Sequence, residues 1–166
     1  DYAATVAAIA CLVKQAEAEL QQTGMVGVGI PGAVSYKTGR IKNANSTWLI
    51  GHPLHRDLAS RLGRPVTVMN DANCFALSEA VDGAGAGFGV VFGVILGTGV
   101  GGGIVIDGRI LEGAQRIAGE WGHNPLPLAD SERGPLNPCY CGRQGCIETY
   151  LSGPGMERDH RDHGGA

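Results

Sequence analysis

Apolar and polar residues follow one another along the chain in blocks that predict helices and strands. Over residues 2–22, apolar residues recur at three- and four-residue steps from Val6 and Ile9 onward, the spacing of one helical face. Later blocks predict strands at 25–32 and 65–71, helices at 53–62 and 72–81, a strand–turn–strand hairpin over 90–111, and a short helix from about residue 147. Helices that alternate with strands favour an α/β architecture.

A glycine-rich segment, GAGAGFG at 83–89, separates the two halves of this pattern. Such a run lacks the side chains needed to pack into an element, and it is typical of a hinge or a domain boundary. We therefore predict one domain over residues 1–82, a hinge at 83–89 and a second domain over residues 90–166.

The composition of the chain argues against nucleic-acid-binding and membrane-spanning proteins. The chain has 166 residues, 28 of them glycine, and a formal net charge of −3. An acidic balance gives no support for binding nucleic acid. No stretch of about 18 apolar residues occurs, so we expect no membrane span. We predict a cytoplasmic globular protein.

Three of the five cysteines lie in the stretch CYCGRQGC, at Cys139, Cys141 and Cys146. A disulfide between Cys139 and Cys141 would close a strained ring, and a redox pair more often has the spacing C-x-x-C. Three thiolates with a nearby His123 form a ligand set for structural Zn²⁺. The spacing favours zinc over the alternative, which is reduced cysteines in a turn.

The segment LGTGVGGG, at 96–103, offers backbone N–H groups and the Thr98 hydroxyl to an anion. It lacks the Gly-Lys-Ser/Thr ending of a P-loop, and a hairpin is the wrong context for a dinucleotide fingerprint. A phosphate cradle and a simple tight turn explain this segment equally well.

Asn70 and Asp71 lie where a predicted strand ends and a predicted helix begins. Aspartate is a favoured helix N-cap, and such a cap contributes about 1 kcal/mol of stability. The C-terminal ends of strands are also where α/β folds place their chemistry. The residues alone favour the cap.

Glu120, His123 and Glu148 are polar residues within glycine-bearing stretches near the cysteines. Taken alone, each of the three fits an ordinary polar residue on the protein surface. If zinc fixed this loop, the same side chains would face a polyhydroxylated ligand, because carboxylates form two hydrogen bonds to neighbouring hydroxyls.

Taken together, GEWGH (119–123) and CYCGRQGCIE (139–148) resemble the signature of the ROK family of sugar kinases and repressors. The segments IPG, NSTW, NDAN and LGTGVGGG occur in the family's order. Their amino-acid sequences are most similar to those of bacterial fructokinases of this family. The resemblance implies an α/β, actin/hexokinase-like (ribonuclease H-like) two-lobed fold, of which this chain carries part. The sugar and ATP would bind in the cleft between the lobes.

Matched position by position, the resemblance makes Asp71 the catalytic base, which reverses the preference for a cap alone. It assigns sugar binding to Gly32, Asn45, Asn70, Glu120, His123 and Glu148. It assigns the nucleotide phosphates to Gly97, Thr98, Gly99 and Gly101, with Mg²⁺ as the cofactor of ATP. It assigns structural Zn²⁺ to His123, Cys139, Cys141 and Cys146.

Two segments of the family pattern are missing from the sequence. The first phosphate loop, of the type D-x-G-x-T, would lie before Asp1, and the segment that packs on adenine would lie after Ala166. The residues 1–82 would then be the rest of the N-terminal lobe, and 90–166 the first part of the C-terminal lobe. We expect a fragment that is not an efficient kinase by itself.

The expected function is ATP-dependent phosphorylation of a hexose, with fructose at its 6-hydroxyl favoured and a homodimer expected. Glucose, mannose and N-acetylhexosamines are alternative substrates. A sugar-responsive transcription repressor and a non-catalytic sugar-binding module are alternatives from other classes.

Overall fold

A computed structural model describes residues 1–127 and 135–165. The chain divides into two compact units. The first comprises Asp1–Cys74 with Glu112–Arg116, and the second comprises Phe75–Leu111 with Ile117–Ala166. The predicted division at residues 83–89 stays a prediction.

The first unit combines helices with short strands. Its elements are α1 (Tyr2–Leu20), β1 (Val26–Ile30), β2 (Ala33–Val34), β3 (Ile41–Lys42), a 3₁₀ turn (Thr47–Leu49), α2 (Leu54–Leu62) and β4 (Val66–Asn70). Strands β1 and β4 are parallel, with Val26 opposite Val66, and β2 pairs antiparallel with β3. Helix α3 (Asp71–Val81) follows β4 directly and continues into the second unit.

Helix α1 begins and ends at residues that stabilise its free backbone groups. The Asp1 carboxylate accepts a hydrogen bond from the Ala4 N–H at 2.8 Å, so Asp1 is the N-cap. Gln21 ends the helix in a left-handed conformation with φ 52°, and its N–H donates to the Glu17 carbonyl. The helix predicted over 2–22 is therefore confirmed.

The core of the first unit is built around α2. Leu54 and Leu58 are one helical turn apart, and their side chains are 1% and 0% exposed. They belong to one apolar cluster with Val6 of α1 and Ile30 of β1. The burial of α2 therefore fixes the sheet whose strand β4 ends at Asn70 and leads into Asp71.

Replacing Leu58 with alanine is expected to lower the free energy of unfolding by about 2–5 kcal/mol, because the site is fully buried and the removed atoms leave a cavity. Chemical denaturation of the full-length protein measures this loss. The matched control is Leu12→Ala, since Leu12 is 67% exposed on α1. It should change stability by less than about 0.5 kcal/mol, and equal losses in the two variants would contradict this core assignment.

The second unit contains an antiparallel sheet and two C-terminal helices. The sheet consists of β5 (Val90–Leu96), β6 (Val100–Ile106) and β7 (Arg109–Ile110), with β6 in the centre. The predicted hairpin is confirmed, with Leu96 opposite Val100. Helices α4 (Glu148–Leu151) and α5 (Gly153–Asp162) follow the cysteine stretch.

The predicted helix after residue 147 is divided in two at Ser152. The backbone of Ser152 is extended, with φ −76° and ψ 164°, and its side-chain oxygen accepts the Gly155 N–H at 3.2 Å. Ser152 thus ends α4 and caps α5, and the proline in the first turn of α5 has no N–H to leave unpaired. Within the described residues, no helix combines the length and the apolar character that crossing a membrane requires.

Candidate functional site

The first unit brings Asn70 and Asp71 to the junction of β4 and α3. The Asn70 side chain is buried, its amide donates to the Gly32 carbonyl at 3.0 Å, and its oxygen accepts the Asn73 N–H at 3.0 Å. An acceptor three residues before the donor is the geometry of a helix N-cap. Asn70 therefore caps α3, and the prediction that Asp71 supplies the cap is wrong.

Asp71 is the first residue of α3, and it is exposed. Its Oδ1 accepts hydrogen bonds from the Ala72 N–H at 2.9 Å and from the Asn70 amide at 3.3 Å. Because Asn70 is the cap, the Asp71 carboxylate is oriented by two donors and remains accessible to a ligand.

Gly32 lies against the chain segment that leads to Asn45. Its φ is 97°, and a Cβ at this position would lie 2.6 Å from the Lys42 carbonyl oxygen and 2.9 Å from the Ala44 nitrogen. Glycine is therefore required here, both by its conformation and by the close backbone approach. The Gly32 carbonyl also accepts the Asn70 side-chain amide, so two of the predicted sugar-binding residues are in contact, and Asn45 directly follows the segment that packs on Gly32.

The predicted phosphate segment is a turn followed by a strand. Gly97, Thr98 and Gly99 connect β5 to β6, and the Gly97 N–H donates to the Gly99 carbonyl at 2.9 Å. Thr98 is exposed. Gly101 lies within β6 opposite Ile95, so it is separated from the other three predicted phosphate-binding residues.

The segment GEWGH packs on β6. The Trp121 indole N–H donates to the Gly101 carbonyl at 2.8 Å, and a Cβ at Gly119 would lie 2.9 Å from the Gly103 Cα. Gly122 accepts the Glu148 N–H at 2.8 Å. Glu120, which is exposed, and His123 are thus carried by a loop that lies directly on the strand.

Replacing Gly122 with alanine is expected to lower the free energy of unfolding by about 1–3 kcal/mol. The new methyl group would lie 2.2 Å from the Val100 carbonyl oxygen, and backbone must move to relieve that overlap. Thermal or chemical denaturation measures the loss. Gly24→Ala is the control because a Cβ there meets nothing within 4 Å, and a loss as large in that variant would contradict close packing at Gly122.

Four predicted metal ligands converge in the second unit. His123, Cys139, Cys141 and Cys146 each offer one ligand atom, and these atoms all lie within 4.8 Å of one another. The Sγ atoms of Cys141 and Cys146 are 3.7 Å apart, and the Cys139 Sγ is 3.4 Å from the His123 Nδ1. Tetrahedral zinc at about 2.3 Å from sulfur requires ligand atoms about 3.8 Å apart. The four residues therefore fit a zinc ion.

Two thiols of this cluster have pKa values that are shifted in opposite directions. Burial, and after it the neighbouring Cys141 and Cys139, raises the pKa of the Cys146 thiol to about 11. The pKa of the Cys141 thiol is lowered, mainly by a hydrogen bond with the backbone of Arg143. A divalent ion would stabilise all three thiolates together, because a coordinating thiol is deprotonated by the metal.

Tyr140 is a site residue that the sequence analysis missed. Its hydroxyl oxygen lies 3.1 Å from the His123 Nε2. The two rings pack edge to face, with their centroids 5.1 Å apart. Partial desolvation by neighbouring groups, followed by the charge of Glu148, raises the pKa of the Tyr140 hydroxyl. The only signal in the sequence was its position between two cysteine ligands.

Glu148 contacts the hairpin turn. It begins α4, two residues after Cys146, and its Oε2 accepts the Val100 N–H at 2.8 Å. The second unit thus brings the cysteine cluster, Glu148 and the glycine turn together, whereas Asn45, Asn70 and Asp71 belong to the first unit.

Known proteins resemble this chain both in sequence and in fold. The sequence profile of the ROK family matches residues 1–165. The chain belongs to the ROK family. The ROK glucokinase from Streptomyces griseus, solved in complex with glucose and AMPPNP, superposes with a TM-score of 0.73 at 35% identity, over 95% of this chain and 48% of that one. The α/β, actin- and hexokinase-type fold class is therefore confirmed.

Curated ROK relatives share more sequence with this chain. An N-acetyl-D-glucosamine kinase from Erwinia tasmaniensis is 49% identical over 94% of this chain and 53% of its own length. The N-acetylgalactosamine kinase AgaK from a Shewanella species is 43% identical over 99% of this chain and 54% of its own length. The chain thus spans about half the length of the curated relatives it matches.

Proposed function

We propose that the protein is an ATP-dependent sugar kinase that transfers the γ-phosphoryl group to a hydroxyl of an N-acetylhexosamine. One observation supports this most strongly. The exposed Asp71 carboxylate, oriented by Asn70 and the Ala72 N–H, occurs in a ROK chain that also carries the glycine turn and the four-ligand cluster. ROK relatives named as kinases support catalysis over transcriptional repression.

Asp71 would act as the general base. A carboxylate that hydrogen-bonds the attacking hydroxyl accepts its proton as the bond to phosphorus forms. Phosphoryl transfer needs little covalent assistance, so the remaining contributions are positioning and charge stabilisation. Mg²⁺ bound with the nucleotide would neutralise part of the charge on the phosphates.

The nucleotide phosphates would meet the turn at Gly97, Thr98 and Gly99. Gly97 leaves backbone approach open, since even a Cβ there would meet nothing within 4 Å, and the exposed Thr98 hydroxyl offers a further donor. Gly101 would contribute through the backbone of β6, where it already accepts the Trp121 indole N–H.

Sugar hydroxyls would be bound by a set of carboxylates, amides and an imidazole, and Gly32 would contribute to sugar binding as well. The set is Asn45, Asn70, Glu120, His123 and Glu148. Carboxylates accept from hydroxyls and amides both donate and accept, so the set can pair with a ring of adjacent hydroxyls. His123 would hold zinc through Nδ1 and leave Nε2, now beside Tyr140, for a hydroxyl.

Zinc bound to His123, Cys139, Cys141 and Cys146 would be structural. All four ligands come from the protein, which leaves no open coordination position for chemistry. Its contribution would be to fix the loop that carries His123 and leads to Glu148.

The relatives favour an N-acetylhexosamine over fructose as the substrate. Two of them are named for N-acetylglucosamine and N-acetylgalactosamine, at 49% and 43% identity. None of the relatives described above is named for fructose, so the sequence-based preference for fructose has no support among them.

A substrate panel tests the proposal. The full-length protein is incubated with Mg²⁺ and ATP and with N-acetylglucosamine, N-acetylgalactosamine, N-acetylmannosamine, glucose, mannose or fructose, and ADP release is followed by a coupled assay. We expect the highest kcat/KM with an N-acetylhexosamine. A higher kcat/KM with fructose would refute the proposed substrate class, and no sugar-dependent ADP release with any member would refute the kinase.

A further inference from the structure

Residues that follow the cysteine cluster hold both ends of the glycine turn. At one end the Glu148 Oε2 accepts the Val100 N–H at 2.8 Å, and at the other the Gly153 N–H donates to the Gly97 carbonyl at 2.7 Å. Hydrogen bonds to a charged group are stronger than neutral ones. The position of the turn therefore depends on where the Glu148 side chain lies.

Gly99 leaves the space that the Glu148 carboxylate fills. A Cβ at Gly99 would lie 2.7 Å from the Glu148 Oε2 and 3.5 Å from its Cδ, whereas a Cβ at Gly97 would meet nothing within 4 Å. Neither glycine has a left-handed φ, so the backbone conformation requires glycine at neither position. The lack of a side chain at Gly99 matters because it admits Glu148.

We propose that Glu148 is a positioning residue that couples sugar binding to the order of the phosphate turn. The inference rests on the proposed function, in which the same carboxylate accepts a sugar hydroxyl. A carboxylate has about four lone-pair sites on two oxygens, so it can accept the Val100 N–H and a hydroxyl together. A sugar that fixes the carboxylate also fixes the turn, and the nucleotide then binds to a turn that is already ordered.

Coupling of this kind is reciprocal. If the sugar orders the turn through Glu148, then a change in the turn that displaces Glu148 must weaken sugar binding, even when no nucleotide is present. A Glu148 that served only as a sugar ligand would also be displaced by Gly99→Ala, but sugar binding would then leave the amide exchange of Val100 unchanged. The two roles are therefore separated by the exchange at Val100, measured with and without the sugar.

The test compares Gly99→Ala with its neighbour Gly97→Ala in the full-length protein. Calorimetry measures the Kd of the best sugar of the substrate panel without nucleotide. The alanine at position 99 overlaps only the end of a flexible side chain, so Glu148 moves while the fold persists. We expect Gly99→Ala to weaken sugar binding about tenfold, which corresponds to one lost hydrogen bond to a charged group, and Gly97→Ala to stay within about twofold.

A second measurement tests the contact without the sugar and then with it. Amide hydrogen exchange at Val100 should become at least about tenfold faster in Glu148→Ala, because the acceptor of that N–H is gone. In the wild type, a saturating sugar should slow exchange at the same amide, because the sugar fixes the carboxylate that accepts its N–H. Unchanged exchange in Glu148→Ala, wild-type exchange at Val100 that does not respond to the sugar, or equal sugar Kd values for Gly99→Ala and the wild type would overturn the coupling and leave the kinase proposal standing. A wild type that neither binds nor phosphorylates any sugar would overturn both.

Discussion

Replacing Asp71 with asparagine is expected to lower kcat for sugar phosphorylation by about a thousandfold, the scale of a lost general base. Asparagine has nearly the same shape as aspartate, and its oxygen can still accept from the Ala72 N–H and the Asn70 amide. It cannot take up a proton from the attacking hydroxyl. The loss should therefore fall on kcat, with the KM for the sugar within about threefold of the wild type.

Asp82→Asn is the matched control for this variant. Asp82 follows the other end of α3, is exposed, and contacts only Ser78 among the hydrogen bonds described for its side chain. The same chemical change there should leave kcat within about twofold. Steady-state kinetics with Mg²⁺ and ATP measure both variants, and an Asp71→Asn enzyme that keeps more than about a third of the wild-type kcat would exclude Asp71 as the base.

Replacing Cys141 with serine is expected to remove bound zinc and to lower the free energy of unfolding by at least about 3 kcal/mol. A serine hydroxyl is a poor zinc ligand, so the proposed zinc ion would no longer have the four ligands that lie within 4.8 Å of one another. Sugar affinity should fall in the same variant, because the loop that carries His123 and leads to Glu148 loses its anchor.

Cys11 provides the control for the cysteine substitution. It is exposed on α1 and belongs to the first unit, whereas the cluster belongs to the second. Cys11→Ser should keep about one zinc per chain and the wild-type stability, as measured by metal analysis and denaturation. Wild-type protein that contains almost no zinc, together with unchanged stability in Cys141→Ser, would rule out a structural metal.

Local patterns in the sequence were sufficient to predict most elements. The steps of three and four residues predicted α1, and the glycine-rich link between two apolar runs predicted the β5–β6 hairpin. These elements depend on periodicity and turn chemistry, which are local properties. The break at Ser152 was missed because a serine between two short helical stretches resembles an ordinary polar helix position until its capping bond to Gly155 is seen.

The cysteine cluster was also predictable from a local pattern, since the spacing of the three cysteines alone limits how far apart their sulfur atoms can lie. The contacts of Asn70, Tyr140 and Glu148 were not predictable. The cap on α3 is formed by Asn70 rather than Asp71, and the two residues are equally good caps in a sequence. The bond from Val100 to Glu148 joins positions 48 residues apart, and no local pattern specifies such a pair.

The most direct test of sugar phosphorylation is the balance of products in one reaction. Full-length protein is mixed with Mg²⁺, ATP and N-acetylglucosamine, ADP is quantified by a coupled assay, and the phosphorylated sugar is quantified by mass spectrometry. We expect one ADP for each N-acetylglucosamine phosphate formed, and only background ADP when the sugar is left out. ADP that forms at the same rate without sugar, or sugar that binds and is recovered unphosphorylated, would contradict the assignment of this ROK chain to a sugar kinase.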